Sequence, residues 1–483
     1  MKNKIIALVA TAALASAITA FAAQGNATEQ KSKKKNSNAA ILVARTNRLE
    51  KEVQALKEQV ADLKISTKED NIGSMAELYA HGPAVVTSPA LGVRRSAEDA
   101  SDLMVNLPSM NEDLVILRTR QKMDNYAKKN CILIPERPII AVSGGAEGQI
   151  QYTNDYDHSR SADVDLTKAE LDFIGEASPW ATAALILSYD NGGIVGIPNR
   201  VRNSRLTLSR GFITIGQLNK SPIYGTLGQV YLPFGRYANY RVTTPSTQVI
   251  GRIKERAVIL GFDYAGFYGQ IYGFPGETYV PGSIQLIQRG GANLGYKYSS
   301  DDKFAIDMGV GTTGNMAEAW GMQGNGMSAP NFAGFNSNET LVSRVPGLDA
   351  YAKIVYKPIT LIGEYIAATR NFDAVDMTFD GRGARPSALD AEAAYSFTLF
   401  CKPNDFVIGY GQSWQALALN IPRQDVFATY QISIWKDTIE SLEYRHNFNY
   451  GWGDIATGNN GSVPITIIGR NSNSVTFQIG VYF

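Results

Sequence analysis

Cysteine and histidine are scarce. Two cysteines, Cys131 and Cys401, in 483 residues exclude a disulfide-dense scaffold. Only His81, His158 and His446 are present, and no Ser-His pair has a shared strand position for nucleophilic catalysis, so the chain does not read as an enzyme and implies no cofactor. An excess of charge is missing too. With 46 basic and 45 acidic side chains the formal net charge is +1, which gives no electrostatic case for binding nucleic acid. After the first residues, no stretch approaches the roughly 18 apolar residues that a membrane-spanning helix needs.

Glycine and aromatics are plentiful: 45 Gly, 24 Tyr and 19 Phe are the usage of many short strands and turns. The chain opens with Lys2 and Lys4 before an Ala-rich apolar stretch that ends at Ala20-Phe21-Ala22, so residues 1–22 read as a cleaved secretory signal. Residues 23–39 are polar and Lys-rich, a disordered linker. Within 40–66, Leu42, Leu49, Val53, Leu56, Val60 and Leu63 keep heptad spacing with Glu and Lys on the flanks. That spacing predicts a short coiled coil, a periplasmic stalk that would make a homotrimer. Residues 67–137 read as a partly helical segment, either periplasmic or a plug, in which a capping box, Ser109-x-x-Glu112, opens a helix with Leu114 and Leu117 on one side.

From about residue 138 to 483 the period changes to 2. Sixteen strands are expected to begin near 140, 164, 181, 205, 225, 256, 266, 291, 303, 349, 359, 389, 405, 425, 438 and 475. In the second half, tight turns such as Ala265, SSDD, KP, CKPN and WKD alternate with long links such as 313–348 and 449–474. Short turns at one end and long loops at the other are the mark of an outer-membrane barrel. The chain also ends VTFQIGVYF, a strand with Val475, Phe477, Ile479, Val481 and Phe483 on one face, and no polar tail follows. The fold class is therefore all-β: a 16-stranded antiparallel transmembrane barrel with an N-terminal helical and coiled-coil periplasmic segment. Its place is the outer membrane of a Gram-negative bacterium, with outer-membrane lipid around it and the barrel assembly machinery as a partner that reads the terminal aromatic strand.

Placing each strand's apolar face on lipid puts Glu147, Glu170, Asp172, Asp307, Glu364, Asp390, Glu392, Asp425, Glu443 and Arg445 in the lumen, together with Lys297, Lys303 and Lys353. That is nine acids against four bases. A phosphate pore wants rings of Arg and Lys, so the excess favours cations, and carboxylates are hard ligands suited to iron. Opposite charges inside a porin also pair with one another, which leaves the metal ligands undetermined. By strand alternation His446 faces lipid or the aromatic girdle. Cys131 and Cys401 fall on the periplasmic side, where they are either a disulfide strapping the 67–137 segment under the pore or two free thiols.

The stretch GFITIGQLNKSPIYGTLGQVYLPFGRYANYRVTTPSTQVIGRIKERAVILGFDY resembles porins of the phosphate-selective type, in which a Gly-Gln strand runs into Pro-Phe-Gly. Over the whole mature chain, the order of signal, NRLEKEVQALKEQV, a linker with SPALGVRRSAEDASDLMVNLPSMNEDL, and barrel resembles the LbtU-type siderophore porins and the FslE and FupA iron-uptake proteins. That resemblance implies uptake of iron or an iron–siderophore complex. It would proceed without a large plug domain, since a barrel of about 22 strands with a folded plug exceeds this chain. The alternative is a general or ion-selective diffusion porin.

Overall fold

The computed structural model describes residues 85–87, 111–133, 138–190, 205–282, 286–300, 303–323, 340–435, 437–458, 461–462 and 468–482. The signal, the linker, the coiled coil and most of the 67–137 segment lie outside these residues.

Period-2 sequence becomes strand throughout. The first eight strands are β1 (Ile139–Asn154), β2 (Arg160–Glu176), β3 (Ala181–Asp190), β4 (Arg205–Ile215), β5 (Ile223–Tyr231), β6 (Lys254–Tyr264), β7 (Phe267–Phe274) and β8 (Arg289–Ser300). The second eight are β9 (Phe304–Thr313), β10 (Gly347–Tyr356), β11 (Ile359–Ala368), β12 (Ser387–Leu399), β13 (Lys402–Trp414), β14 (Gln424–Ile432), β15 (Thr438–Phe448) and β16 (Asn471–Tyr482). Each pairs antiparallel with the next, and β16 closes the ring on β1, with Tyr482 opposite Gly145 and Asn473 opposite Asn154. Closure leaves no free edge around the ring, which is what a sheet in hydrocarbon requires.

The two ends of the barrel differ as the sequence implies. Two-residue turns join β6 to β7 through Ala265 and Gly266 and β12 to β13 through Phe400 and Cys401, all four with positive φ, the conformation that matches strand twist in tight hairpins. At the other end lie long links such as 232–253 and 314–346.

The outer wall is apolar. On β16, Val475, Phe477, Ile479 and Val481 are exposed, whereas Thr476 between them is buried on the inner side. Trp180, Tyr264, Tyr356 and Trp435 sit exposed at the short-turn end, and Tyr152, Tyr365 and Trp414 toward the long-loop end, forming the two aromatic girdles of a membrane barrel. The chain is an outer-membrane protein.

The seam has an unexpected cover. β16 pairs with β1 only from Gly145 onward, and β2 occupies the whole of the other edge, so the stretch of β1 below the C-terminus would present open backbone groups. A short parallel strand, Val85–Thr87, pairs there with Ile140–Val142. An N-terminal segment thus finishes the ring that the C-terminal strand leaves incomplete.

One glycine is required by the wall itself. Gly228 on β5 has φ 145°, and a Cβ there would lie 2.3 Å from the carbonyl oxygen of Gly211 on β4. Gly228→Ala should therefore cost about 1–3 kcal/mol in strain and displacement. A lower urea midpoint in detergent micelles is the expected reading, and an unchanged midpoint contradicts it.

Candidate functional site

The lumen is not an open tube. The link between β5 and β6 folds inward and carries a short helix, α2 (Ser246–Gly251). Leu232, Phe234, Tyr237, Tyr240, Ile250 and Ile253 of this loop are fully buried. Leu232, Phe234, Tyr237, Ile250 and Ile253 pack with Met316, Met322, Leu341 and Val345 from the β9–β10 link and with Ile366 of β11, and Tyr240 packs separately with Ile362, Ala394, Val407 and Phe427 of the wall, so a hydrophobic core sits inside the barrel. The long link 313–348 thus contributes Met316, Met322, Leu341 and Val345 to this core.

The lumen carboxylates hold the inward loop in place. A loop crossing a pore leaves its backbone N–H groups without sheet partners, and each needs an acceptor. Glu364 accepts from the N–H of Arg236 at 2.5 Å and of Tyr237 at 3.0 Å. Glu392 accepts from the N–H of Tyr240 at 2.7 Å. Glu443 accepts from the N–H of Val242 and the hydroxyl of Thr243, both at 2.6 Å.

Arg241 completes the latch. Its guanidinium is fully buried between Asp390, at 2.9 Å, and Asp425, and lies 4.1 Å over the ring of Phe427. Surrounding carboxylates raise its pKa further above the ordinary arginine range, against the opposing effect of burial. Between β12 and β14, strand β13 offers only glycine at this height. A Cβ at Gly411 would stand 2.2 Å from the Asp425 carboxylate, and one at Gly409 would stand 2.1 Å from Phe427. Bare backbone there makes room for the acid and the ring.

The other candidates are placed as follows. Asp307 accepts from Tyr268 at 2.6 Å and faces Arg236 at 3.5 Å. Arg445 lies 3.7 Å from Asp425. Glu147 accepts from Tyr482 at 3.0 Å and Gln478 at 3.3 Å, beside the seam. Glu170 pairs with Arg210 at 2.9 Å, and Asp172 is buried nearby on β2. Lys353 is buried on β10, Lys297 is half-buried on β8, and Lys303 is exposed at the β8–β9 turn. His446 bonds Asn473 at 2.6 Å and stacks edge-on against Phe448. Cys131 and Cys401 are exposed and free in this structure.

The acid excess thus has a structural use: most of these carboxylates are satisfied by loop N–H groups and arginines. It does not make a row of open cation ligands.

Beside the latch, from β15 through β16 and β1 to β2, the wall is different. Gln149, Gln151 and Thr153 of β1, Lys168 of β2, Arg445 and Asn447 of β15 and Gln478 of β16 are partly exposed on inner faces. On the loop side, Ala238, Asn239, Val242 and Thr243 are half-buried and Thr244 is exposed.

At the short-turn end a helix enters the barrel. Helix α1 (Glu112–Lys129) buries Leu114, Ile116, Leu117 and Met123. Its N-cap is Asn111, with φ 67° and no side-chain cap bond, rather than the Ser109 of the expected capping box. Glu112 does not reach back to cap the first turn, because its carboxylate is 2.8 Å from Arg210 on β4.

No family model matches the chain. A curated relative from Coxiella burnetii (strain RSA 493 / Nine Mile phase I), a UPF0422 protein, is 36% identical over 409 residues, covering 83% of this chain and 83% of its own. The chain belongs to the UPF0422 family. A UPF0422 protein of Legionella pneumophila (strain Lens) is 37% identical over 421 residues, covering 84% of this chain and 78% of its own. Among solved structures, the anion-selective porin from Comamonas acidovorans aligns with a TM-score of 0.46 at 12% identity, over 72% of this UPF0422 chain and 100% of the porin. The outer-membrane channel DcaP of Acinetobacter baumannii aligns with a TM-score of 0.45 at 13% identity, over 72% and 98%.

Proposed function

We propose that this protein is an outer-membrane channel for small polar solutes, with a width set by the latched loop. The observation that carries the reading is the division of the lumen into two walls. On β11 to β15 the carboxylates are spent on holding the loop, and on β1, β2, β15 and β16 partly exposed amides and hydroxyls face it. Such a strip replaces water around a polar solute with hydrogen-bond partners and imposes no deep charge trap, so a solute can enter and also leave.

Liposome swelling with purified protein tests this. Small sugars and amino acids should swell the vesicles and larger oligosaccharides should not; no swelling with any solute contradicts the proposal.

The finer reading, an LbtU-type uptake porin for iron or an iron–siderophore complex, rests on the resemblance. A deletion strain should lose uptake of radiolabelled iron, free or siderophore-bound, and regain it with the gene. Equal uptake in both strains removes iron as cargo. A homotrimer carried by the 40–66 heptads is the matching assembly proposal. Val53→Asp with Leu56→Asp should abolish the crosslinked oligomer, and an unchanged oligomer rules the coiled coil out as its cause.

A further inference from the structure

Helix α1 is docked by apolar contacts, Leu114 and Leu117 against Tyr224 and Tyr268, and by charge. Arg118 pairs with Asp263 at 2.6 Å and lies 4.9 Å over the ring of Tyr268. Arg120 donates to the carbonyl of Ser178 at 3.0 Å, and Asp124 accepts from Asn219 at 3.2 Å, both at the short-turn end. Deeper in the barrel, Asp113 accepts from Thr226 at 2.7 Å. Deepest of all is Glu112, 3% exposed, against Arg210.

Around that contact the charges do not balance. Arg210 alone bonds both Glu112 and Glu170, and Asp172 stands close enough to act on Glu112. Both carboxylate oxygens of Asp172 are buried with no hydrogen-bond partner. Lys168 of β2 acts on Glu170 from the more exposed side. On its far face the Arg210 guanidinium stacks 5.0 Å over Tyr231, whose ring also carries Arg252 of the inward loop at 5.0 Å. Arg252 in turn stacks against Trp320 and acts on Glu170 through space. Glu112 and Glu170 thus share one bonded guanidinium while Asp172 has none, and Lys168 and Arg252 reach Glu170 only through space, so the buried carboxylates nearest Glu112 are under-compensated, which burial makes costly.

We propose that α1 is a proton-linked plug: docking takes up one proton at the Glu112 cluster, so the helix is held in the lumen in acid and released as the pH rises. This deepens the channel reading of the same lumen and rests on it for its consequence, the control of flow.

Burial, opposed by Arg210 and reinforced by Glu170, Asp172 and Asp113, pushes the Glu112 carboxyl up from 4.5 to about 8. Burial likewise raises Asp113, against its bond to Thr226. The helix N-terminus favours ionised acids in its first turn, but only weakly compared with burial of this extent. The sign follows from linkage: a group that is more basic when docked favours docking fully below its free-state value. That advantage declines from about pH 4.5 and is gone above about pH 8. Across the window the docking constant falls by up to about tenfold per pH unit.

The two native cysteines supply the test. Cys131 lies just beyond α1 and Cys401 in a barrel turn, and both are free and exposed. Spin labels on the two in the full-length protein report the helix position by double electron–electron resonance, whether or not the barrel conducts. The wild type should give one narrow distance distribution at pH 5 and a broad second population at pH 8. Glu112→Gln, which keeps the neutral shape, should stay narrow at both. A wild-type distribution that does not change with pH overturns the proposal, and a shift that persists in Glu112→Gln overturns the assignment to this cluster. Channel failure reads separately, as no conductance at either pH.

Discussion

Arg241→Ala should destabilise the protein by about 3–5 kcal/mol, the cost of leaving buried charge without its partner. Among the described residues Arg241 is the only side chain bonded to both Asp390 and Asp425, so its loss leaves two buried carboxylates with only the longer 3.7 Å contact of Arg445 to Asp425. The neighbouring contacts weaken with it. Tyr240 and Val242 on either side hold to Glu392 and Glu443 through backbone N–H groups, and these bonds depend on the loop lying flat against the wall. A fall in the urea midpoint in micelles, with new protease cleavage within 236–244, is the expected result. Full stability with an uncut loop would mean that the carboxylate row does not hold it.

Ile479→Arg should impair assembly. Ile479 lies on the lipid side of β16, between Gly148 of β1 and Glu440 of β15, on the strand that closes the ring. A cation near the bilayer midplane costs about 2–4 kcal/mol, and here it falls where the last strand must pair on both edges. Loss of the heat-modifiable folded band on gels checks it. Normal migration together with normal surface display contradicts the placement of this face.

Most of the barrel was legible because a wall between two media forces strict alternation. The expected strand starts fall within a few residues of the observed ones, and the alternation of Val475 to Val481 already distinguishes the lipid face from Thr476. The tight turns were legible for the same reason, since two-residue hairpins leave no freedom.

The inward loop was not seen. Residues 232–253 have no period, and the alternation argument places residues only within strands, so the segment reads like any other outer loop. A signal was present: Leu232, Phe234, Tyr237, Tyr240, Ile250 and Ile253 are too apolar for a loop in water. The lumen acids read as cation candidates in the sequence because the partners of Glu364, Glu392 and Glu443, backbone N–H groups, exist at every residue and mark no sequence. The helix was found, yet its cap was misplaced, because Ser109-x-x-Glu112 assumes a free Glu112 and tertiary pairing with Arg210 takes it instead.

The most direct measurement of the account is single-channel conductance of wild type and Arg241→Ala side by side in planar bilayers at one pH. If the carboxylate-latched loop sets the width of the lumen, the wild type passes a small, steady current and the variant a severalfold larger and noisier one. Equal conductance in the two proteins, with the variant folded, would contradict it.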